Sequence, residues 1–410
     1  MGALISVEEA LERLLASLPV TDAERVPLAE ANGRVLAEPL AAPFDSPRFD
    51  NSSMDGFAVR SADVHGASRQ KPKSLLVAGD IPAGKSSSTT LQPGHTMRIM
   101  TGAALPAGAD AVVPVEDSDA AAQAGAALPA VVQIFASGGP GAYVRPAAQD
   151  FASGDALLAA GTRLRPQELA LCAMLGQAEL AVHRKPRVAI FSSGDELLPP
   201  GEKLQPGKIY ETNSYTLRGL VESAGGEALL LGTAKDSLAD VKAHLEGAYQ
   251  AGVDLILTSA GVSVGSYDFV RAAVESEGQI DAWQVNMRPG KPFTFGRYRQ
   301  LPFVGLAGNP ASSFVGFEVF LRPALHKLGG VIGWQRRVVR ARLMDAVESD
   351  GRQSYLRVRI QPQAREWQVY LTGHQGSGNL YSLVQAEALM LVPAGVKKIR
   401  AKSWVDVWPL

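Results

Sequence analysis

Between Arg187 and Pro323 the chain repeats one pattern: a short apolar run ending in a loop of glycine, small hydroxyl and acidic residues. Val188 to Phe191 leads into Ser192, Ser193, Gly194, Asp195 and Glu196. Leu255 to Leu257 leads into Ser259, Gly261, Ser263 and Gly265, and Phe303 to Leu306 into Gly308, Asn309, Pro310, Ser312 and Ser313. Apolar runs of this length read as strands buried on both faces. Between them, 212–223, 236–249 and 312–328 carry helical spacing. Strands alternating with helices over 181–329 predict a doubly wound α/β domain, whose ligands bind at the carboxyl ends of its strands.

The flanking regions follow other periods. Val7, Ala10, Leu11, Leu14, Leu15 and Leu18 recur at helical spacing, and 146–180 returns to helix after Pro166. Residues 1–45 with 146–180 therefore read as a helical N-terminal domain. Residues 46–145 are short apolar pieces broken by Gly, Pro and Ser, which predicts a β-rich inserted domain. Residues 330–410 alternate apolar and polar, as a small all-β, barrel-like domain would. The fold class expected is multidomain α/β plus β.

With 410 residues and a net charge of −1, the chain shows no charge excess for reading nucleic acid by its phosphates. The single cysteine, Cys172, sits among Leu and Ala and excludes an internal disulfide or a multi-cysteine zinc site. No apolar run reaches the about 20 residues of a membrane helix, and no secretory signal opens the chain. A cytoplasmic protein is expected. Met1 to Ser6 fits the loose myristoylation pattern, but the helical spacing that follows reads as an ordinary amphipathic first helix.

One motif misleads. Gly79 to Ser86 matches the nucleotide P-loop letter for letter, yet that pattern has meaning only between a buried strand and a helix. Ser87 to Gly94 makes a poor helix, and Pro82 removes an N–H from the cradle. The stretch reads as a turn between strands.

The carboxylates say more than the histidines, none of which has a metal-type partner at close spacing. Glu196, Asp236 and Asp268 each fall at or just after a strand end, on the glycine-loop rim. Clustered carboxylates that stay ionised need a cation, and hard oxygen ligands suit Mg²⁺ held with waters and ligand phosphates. Asp236 fits a helix cap equally well. Arg288-Pro289-Gly290-Lys291-Pro292 offers two cations on a stiff segment, either for phosphate or as a solvated turn. In the β unit, Arg48 to Phe57 packs polar residues too densely for a plain strand, and Arg98 to Ala103 ends a strand in a hydroxyl and a glycine.

Together these motifs resemble the molybdopterin molybdenumtransferase family, MoeA in bacteria and the E domain of gephyrin in animals. F-D-N-S-S-M-D-G-F-A-V (49–59), R-I-M-T-G-A (98–103), S-S-G-D-E-L (192–197), G-K-I-Y-E-T-N (207–213), S-A-G-V-S-V-G (259–265), R-P-G-K-P-F (288–293) and G-S-G-N-L-Y-S-L (376–383) occur in family order. The resemblance implies an α/β domain like that of molybdopterin adenylyltransferase, and an enzyme that inserts molybdate into adenylylated molybdopterin and releases AMP with Mg²⁺. It implies an elongated homodimer, with that adenylyltransferase and other cofactor-pathway proteins as further partners. Its site would lie between the α/β domain of one subunit and the β unit of the other. The catalytic positions implied are Asp55, Thr101, Asp150, Glu196, Asp236 and Asp268, the last three also as metal ligands. Ser192, Ser193, Gly194, Ser259, Gly261, Ser263, Gly265, Arg288, Lys291, Gly308, Asn309, Ser312 and Ser313 would hold the substrates. Ala307 stands where the family usually has proline, and the segment before Asp150 carries fewer cations than is usual. Two other readings are an adenylyltransferase, against which the flanking β regions argue, and a non-catalytic scaffold, which the retained carboxylates oppose.

Overall fold

A computed structural model of the chain describes residues 4–120, 127–259, 269–363 and 366–410. It divides into two compact units: Pro39–Ala159 with Met174–Gly176, and the remainder of the chain.

The larger unit is built on a seven-stranded sheet. Its order is Leu4–Ile5, Gly278–Val285, Pro292–Tyr298, Leu301–Leu306, Leu255–Ser259, Arg187–Ser193 and Glu227–Ala234. The last four strands run parallel, while Pro292–Tyr298 is antiparallel to both its neighbours. Alternate side chains of a strand face opposite ways. Val188 and Ile190 join a core with the helix Asn213–Ser223 and the helical run Pro310–Leu328, while Ala189 and Phe191 pack against the helices Leu238–Gln250 and Phe269–Glu275. Burial on both faces is why these strands read as unbroken apolar runs.

The run Pro310–Leu328 is α-helical at both ends and π-helical over Phe317–Leu321. Pro323 has no N–H for the helical ladder, which accounts for a widened turn just before it. The first helix, Val7–Ala16, starts where Ser6 Oγ accepts the Glu9 N–H at 3.0 Å. It buries Ala10 and Leu14 in the first of these cores.

The C-terminal stretch closes into a barrel. Strands Gln353–Gln363, Glu366–Leu371, Val339–Leu343, Trp404–Pro409 and Ala388–Val392 pair in that order, and the last returns to the first. Val358, Val369, Met390 and Val407 fill its centre.

The smaller unit holds a five-stranded sheet in the order Ala111–Pro114, Gly56–Val59, His95–Ile99, Lys73–Ile81, Val131–Ile134. Lys73–Ile81 runs through Gly79 and continues into a turn with no helix after it, so the P-loop match lacks its structural context. Gly56–Val59, which begins at the end of the polar stretch Arg48–Phe57, lies next to the sheet's edge and is buried at every residue.

The helical N-terminal domain needs correction. Outside Val7–Ala16 and Pro166–Met174, residues 1–45 and 146–180 contribute mainly short strands: Ala23–Pro27 with Glu179–His183, and Leu40–Ala41 with Ala156–Leu158. These pair over long sequence separations, and the five-residue Ala23–Pro27 buries only Val26, too little for a period to show. Cys172 is fully buried, and burial pushes its thiol pKa up.

Candidate active site

Arg187–Ser193 and Glu227–Ala234 are parallel neighbours whose carboxyl ends meet at Ser193 and Ala234. The loops beyond them interlock. Asp195 N–H donates to Asp236 Oδ2 and Asp236 N–H to Asp195 Oδ1, each at 3.2 Å, and Ser193 Oγ donates to Asp236 Oδ1 at 3.2 Å. Asp236 is therefore not the cap of the following helix. That role falls to Ser237, whose hydroxyl accepts the Asp240 N–H at 3.2 Å. Glu196 folds back over Gly194: a Cβ there would come 2.5 Å from its Oε2, so a side chain at 194 would displace the carboxylate. Lys208 Nζ donates to the Asp195 carbonyl rather than to a carboxylate. Among the described residues neither Glu196 nor Asp236 has an ion-pair partner, and both are exposed.

Three strand-end loops are tied together by two residues of the Gly207–Asn213 motif. Ser192 Oγ donates to Glu211 Oε1 at 2.9 Å and lies 2.9 Å from Ser259 Oγ. Glu211 Oε1 also accepts the Ser214 N–H at 2.9 Å. Asn213 Nδ2 donates to Ser259 Oγ at 3.2 Å and to the Gly308 carbonyl at 2.7 Å. The hydroxyls of Ser192 and Ser259 thus work as a buried brace between strands. Glu211 and Asn213 belong to the motif G-K-I-Y-E-T-N, and its pattern alone carries no sign of this role. Their partners lie up to 95 residues away, out of reach of any local pattern.

The third loop meets the barrel. Asn309 Nδ2 donates to Ser377 Oγ at 3.1 Å, and Ala311 N–H to the Ser377 carbonyl at 2.9 Å. Ser312 and Ser313 are buried, and Ser313 Oγ has no hydrogen-bond partner. The Arg288–Pro292 turn runs beside them. Gly290 has φ +98°, and a Cβ built on it would lie 3.5 Å from the Ser312 carbonyl. Arg288 Nη1 is 3.8 Å from Asp350 Oδ2, and the Lys291 carbonyl accepts the Val285 N–H at 2.8 Å. Gly261, Ser263, Gly265 and Asp268 lie outside the described residues.

In the smaller unit, Thr101 donates twice to Asp55 Oδ1, from its N–H and its hydroxyl, each at 2.7 Å. These bonds, the main-chain one first, hold the Asp55 carboxyl below its ordinary value despite a small opposing effect of burial. Asp150 is exposed, with Oδ2 3.3 Å from Ser46 Oγ and its N–H on the Ser46 carbonyl.

Among the described residues no three His, Cys, Asp or Glu converge as a metal site. Mg²⁺ asks for less, being held by one or two carboxylates with waters and substrate phosphates. Glu196 and Asp236 fit that donor set in kind and number.

Residues 5–176 match the MoeA N-terminal region (domain I and II), 189–327 a probable molybdopterin binding domain, and 340–410 the MoeA C-terminal region (domain IV). A molybdopterin molybdenumtransferase of Nostoc is 40% identical over 91% of this chain and 86% of its own length. Molybdopterin molybdenumtransferase 2 of Mycobacterium tuberculosis is 40% identical over 97% of each. The crystal structure of a molybdopterin biosynthesis MoeA protein from Pyrococcus horikoshii superposes with a TM-score of 0.84 at 31% identity, covering 100% of both chains. On the three domain matches and these full-length relatives, the chain belongs to the molybdopterin molybdenumtransferase family.

Proposed function

We propose that this protein inserts molybdate into adenylylated molybdopterin and releases AMP, in molybdenum cofactor biosynthesis. One observation carries the reading: Glu211 and Asn213 tie Ser192, Ser259 and Gly308 together at the strand ends, beside which Glu196 and Asp236 have no cation of their own among the described residues. Carboxylates held at the carboxyl ends of a parallel sheet with no internal counter-charge suit a cation that arrives with a phosphorylated ligand.

In this reading Glu196 and Asp236, with Asp268, hold Mg²⁺, which would offset charge developing on the phosphoanhydride as it breaks. The attacking oxygen belongs to the molybdate or to water, the P–O bond of the adenylate breaks, and AMP leaves. The described residues supply positioning. The Ser193–Gly194 and Gly308–Asn309 loops present main-chain groups, Arg288 and Lys291 present cations to phosphate oxygens, and Ser313 Oγ is a spare donor for the oxyanion. Asp55, Thr101 and Asp150 act in the same reaction from the partner subunit of a homodimer. A cytoplasmic setting goes with this reading, and among the described residues no helix is long and apolar enough to cross a membrane.

The test is direct: purified protein, adenylylated molybdopterin, molybdate and Mg²⁺, with AMP and metal-loaded pterin quantified. The expected result is AMP formed in step with loaded pterin and lost in Glu196→Gln. No AMP from the wild-type protein under these conditions would refute the assignment. Mixing inactive Asp55→Asn with inactive Glu196→Gln should restore part of the activity if the two groups act across subunits, and none if they do not.

A further inference from the structure

The helical layer over one sheet face carries a second charged cavity, of about 580 Å³, that the reaction above does not use. Its walls come from the helix Asn213–Ser223, the run Pro310–Leu328, the segment 334–337 and the barrel's last residues. Four arginines line it: Arg163, Arg322, Arg336 and Arg337.

Its acidic side chain, Glu318, is already spent. Arg322 forks onto both carboxylate oxygens, Nε to Oε2 at 2.8 Å and Nη2 to Oε1 at 2.7 Å. Arg336 Nη1 donates to Oε2 at 2.6 Å, and its Nη2 to the Glu318 carbonyl. One negative charge is therefore shared by two guanidinium groups. Arg163 donates from Nε to the Gly33 carbonyl at 3.3 Å, and among the described residues neither it nor Arg337 pairs with a carboxylate. Trp334 stacks on His326 at 4.7 Å and carries Arg336 against its ring, so the aromatic wall is occupied and the open chemistry is cationic. Burial, then Arg163, Arg322 and Arg336, push the His326 pKa down to about 4, so this ring adds no charge at neutral pH.

Guanidinium groups without a carboxylate partner that line one concave site select oxyanions, which accept several charge-assisted hydrogen bonds at once. The volume exceeds that of a single tetrahedral anion. We propose that this cavity is a second oxyanion site, separate from the glycine-loop rim, taking a tetrahedral dianion or the phosphoryl group of a small molecule across Arg163 and Arg337. Phosphate compounds and molybdate share that chemistry.

Thermal unfolding and calorimetric titration with sodium phosphate, pyrophosphate and molybdate decide it, each at one ionic strength balanced with sodium chloride. A saturable rise in Tm is expected with at least one of them. The half-saturating concentration should increase at least tenfold in Arg337→Glu and in Arg163→Gln. Arg337 is exposed and unpaired, so that variant keeps the fold. The same titration in Glu196→Gln should match the wild type. If only molybdate behaves this way, it is the ligand; if phosphate or pyrophosphate does, the ligand is phosphorylated. A rise reproduced by sodium chloride alone, or a titration sensitive to Glu196→Gln and indifferent to Arg337→Glu, would overturn the site.

Discussion

Glu318 and Glu196 belong to the same unit and stand in opposite electrostatic states. Glu318 is 2% exposed and meets two guanidinium groups. Burial alone would raise its pKa, and Arg322 and Arg336 reverse that, leaving the carboxyl below its ordinary value. Glu196 is exposed, bends over Gly194 and meets no cation among the described residues. An acid that serves the fold carries its counter-charge with it, because a lone buried charge costs several kcal/mol. An acid that serves a ligand leaves that place open.

Substitution should therefore separate the two. Removing Glu318 as Glu318→Leu leaves two guanidinium groups facing each other in a partly buried site, at a cost of roughly 3–5 kcal/mol in stability. Glu196→Gln should change stability by less than about 0.5 kcal/mol, as exposed substitutions do. It should lower AMP release by about two orders of magnitude, the scale of a lost electrostatic contact in a transition state. Urea unfolding and the AMP assay on the same preparations measure both. A Glu196→Gln protein as unstable as Glu318→Leu would erase the distinction.

His326 sharpens it with pH. Its folded pKa, about 4, is depressed from 6.5. The neutral ring is thus favoured by folding. Its contribution is complete above pH 6.5, is lost as pH falls through the interval to 4, and changes no further below that. The depression corresponds to about 3 kcal/mol over that window. The loss should be absent from His326→Phe, with the difference between the two stability–pH curves isolating this ring from titrating carboxylates. Parallel curves would mean that burial and the neighbouring arginines do not exclude a proton from this ring.

Much of this frame was legible beforehand, and the exceptions share a cause. The strands 255–259 and 301–306 are unbroken apolar runs because helices cover both faces, and the barrel strands alternate because one face is wet. Gly56–Val59 escaped notice because its flanks are polar, although Phe57, Ala58 and Val59 are fully buried. Ala23–Pro27 was read as helix because its partner, Glu179–His183, lies far along the chain. The rim followed the same logic. Glu196 and Asp236 could be placed from strand ends, whereas Ser192 and Ser259 read as ligand donors and turned out to face Glu211 and Asn213. Pairing across the sheet decides such roles, and a one-dimensional pattern does not carry it.

Asn213 tests whether the rim depends on that brace. Alanine there removes the donors to Ser259 Oγ, in buried surroundings, and to the Gly308 carbonyl, at a partly buried contact. Each unmade partner makes the loss about 1–3 kcal/mol in all. The amide N–H groups of Asn309, Ala311, Ser312 and Ser313 should exchange faster with solvent, and AMP release should fall while Glu196 remains intact. Faster exchange without lost activity would show that the rim carboxylates work independently of the third loop.

Asp55 stands between the two extremes, engaged by neutral donors rather than by a cation. Its pKa is lowered first by the Thr101 N–H and second by the Thr101 hydroxyl. Its contribution to stability is therefore present above the ordinary carboxylate value and is lost as pH falls through the depressed one. The group is exposed and solvent screens it, so the effect on stability is small. Thr101→Val removes only the hydroxyl. The Asp55 carboxyl, followed by carbon NMR, should then titrate at higher pH than in the wild type and still below its ordinary value, since the main-chain donor remains. A titration unmoved by Thr101→Val would make the N–H the whole cause. Thr101 would then orient Asp55 through its backbone alone.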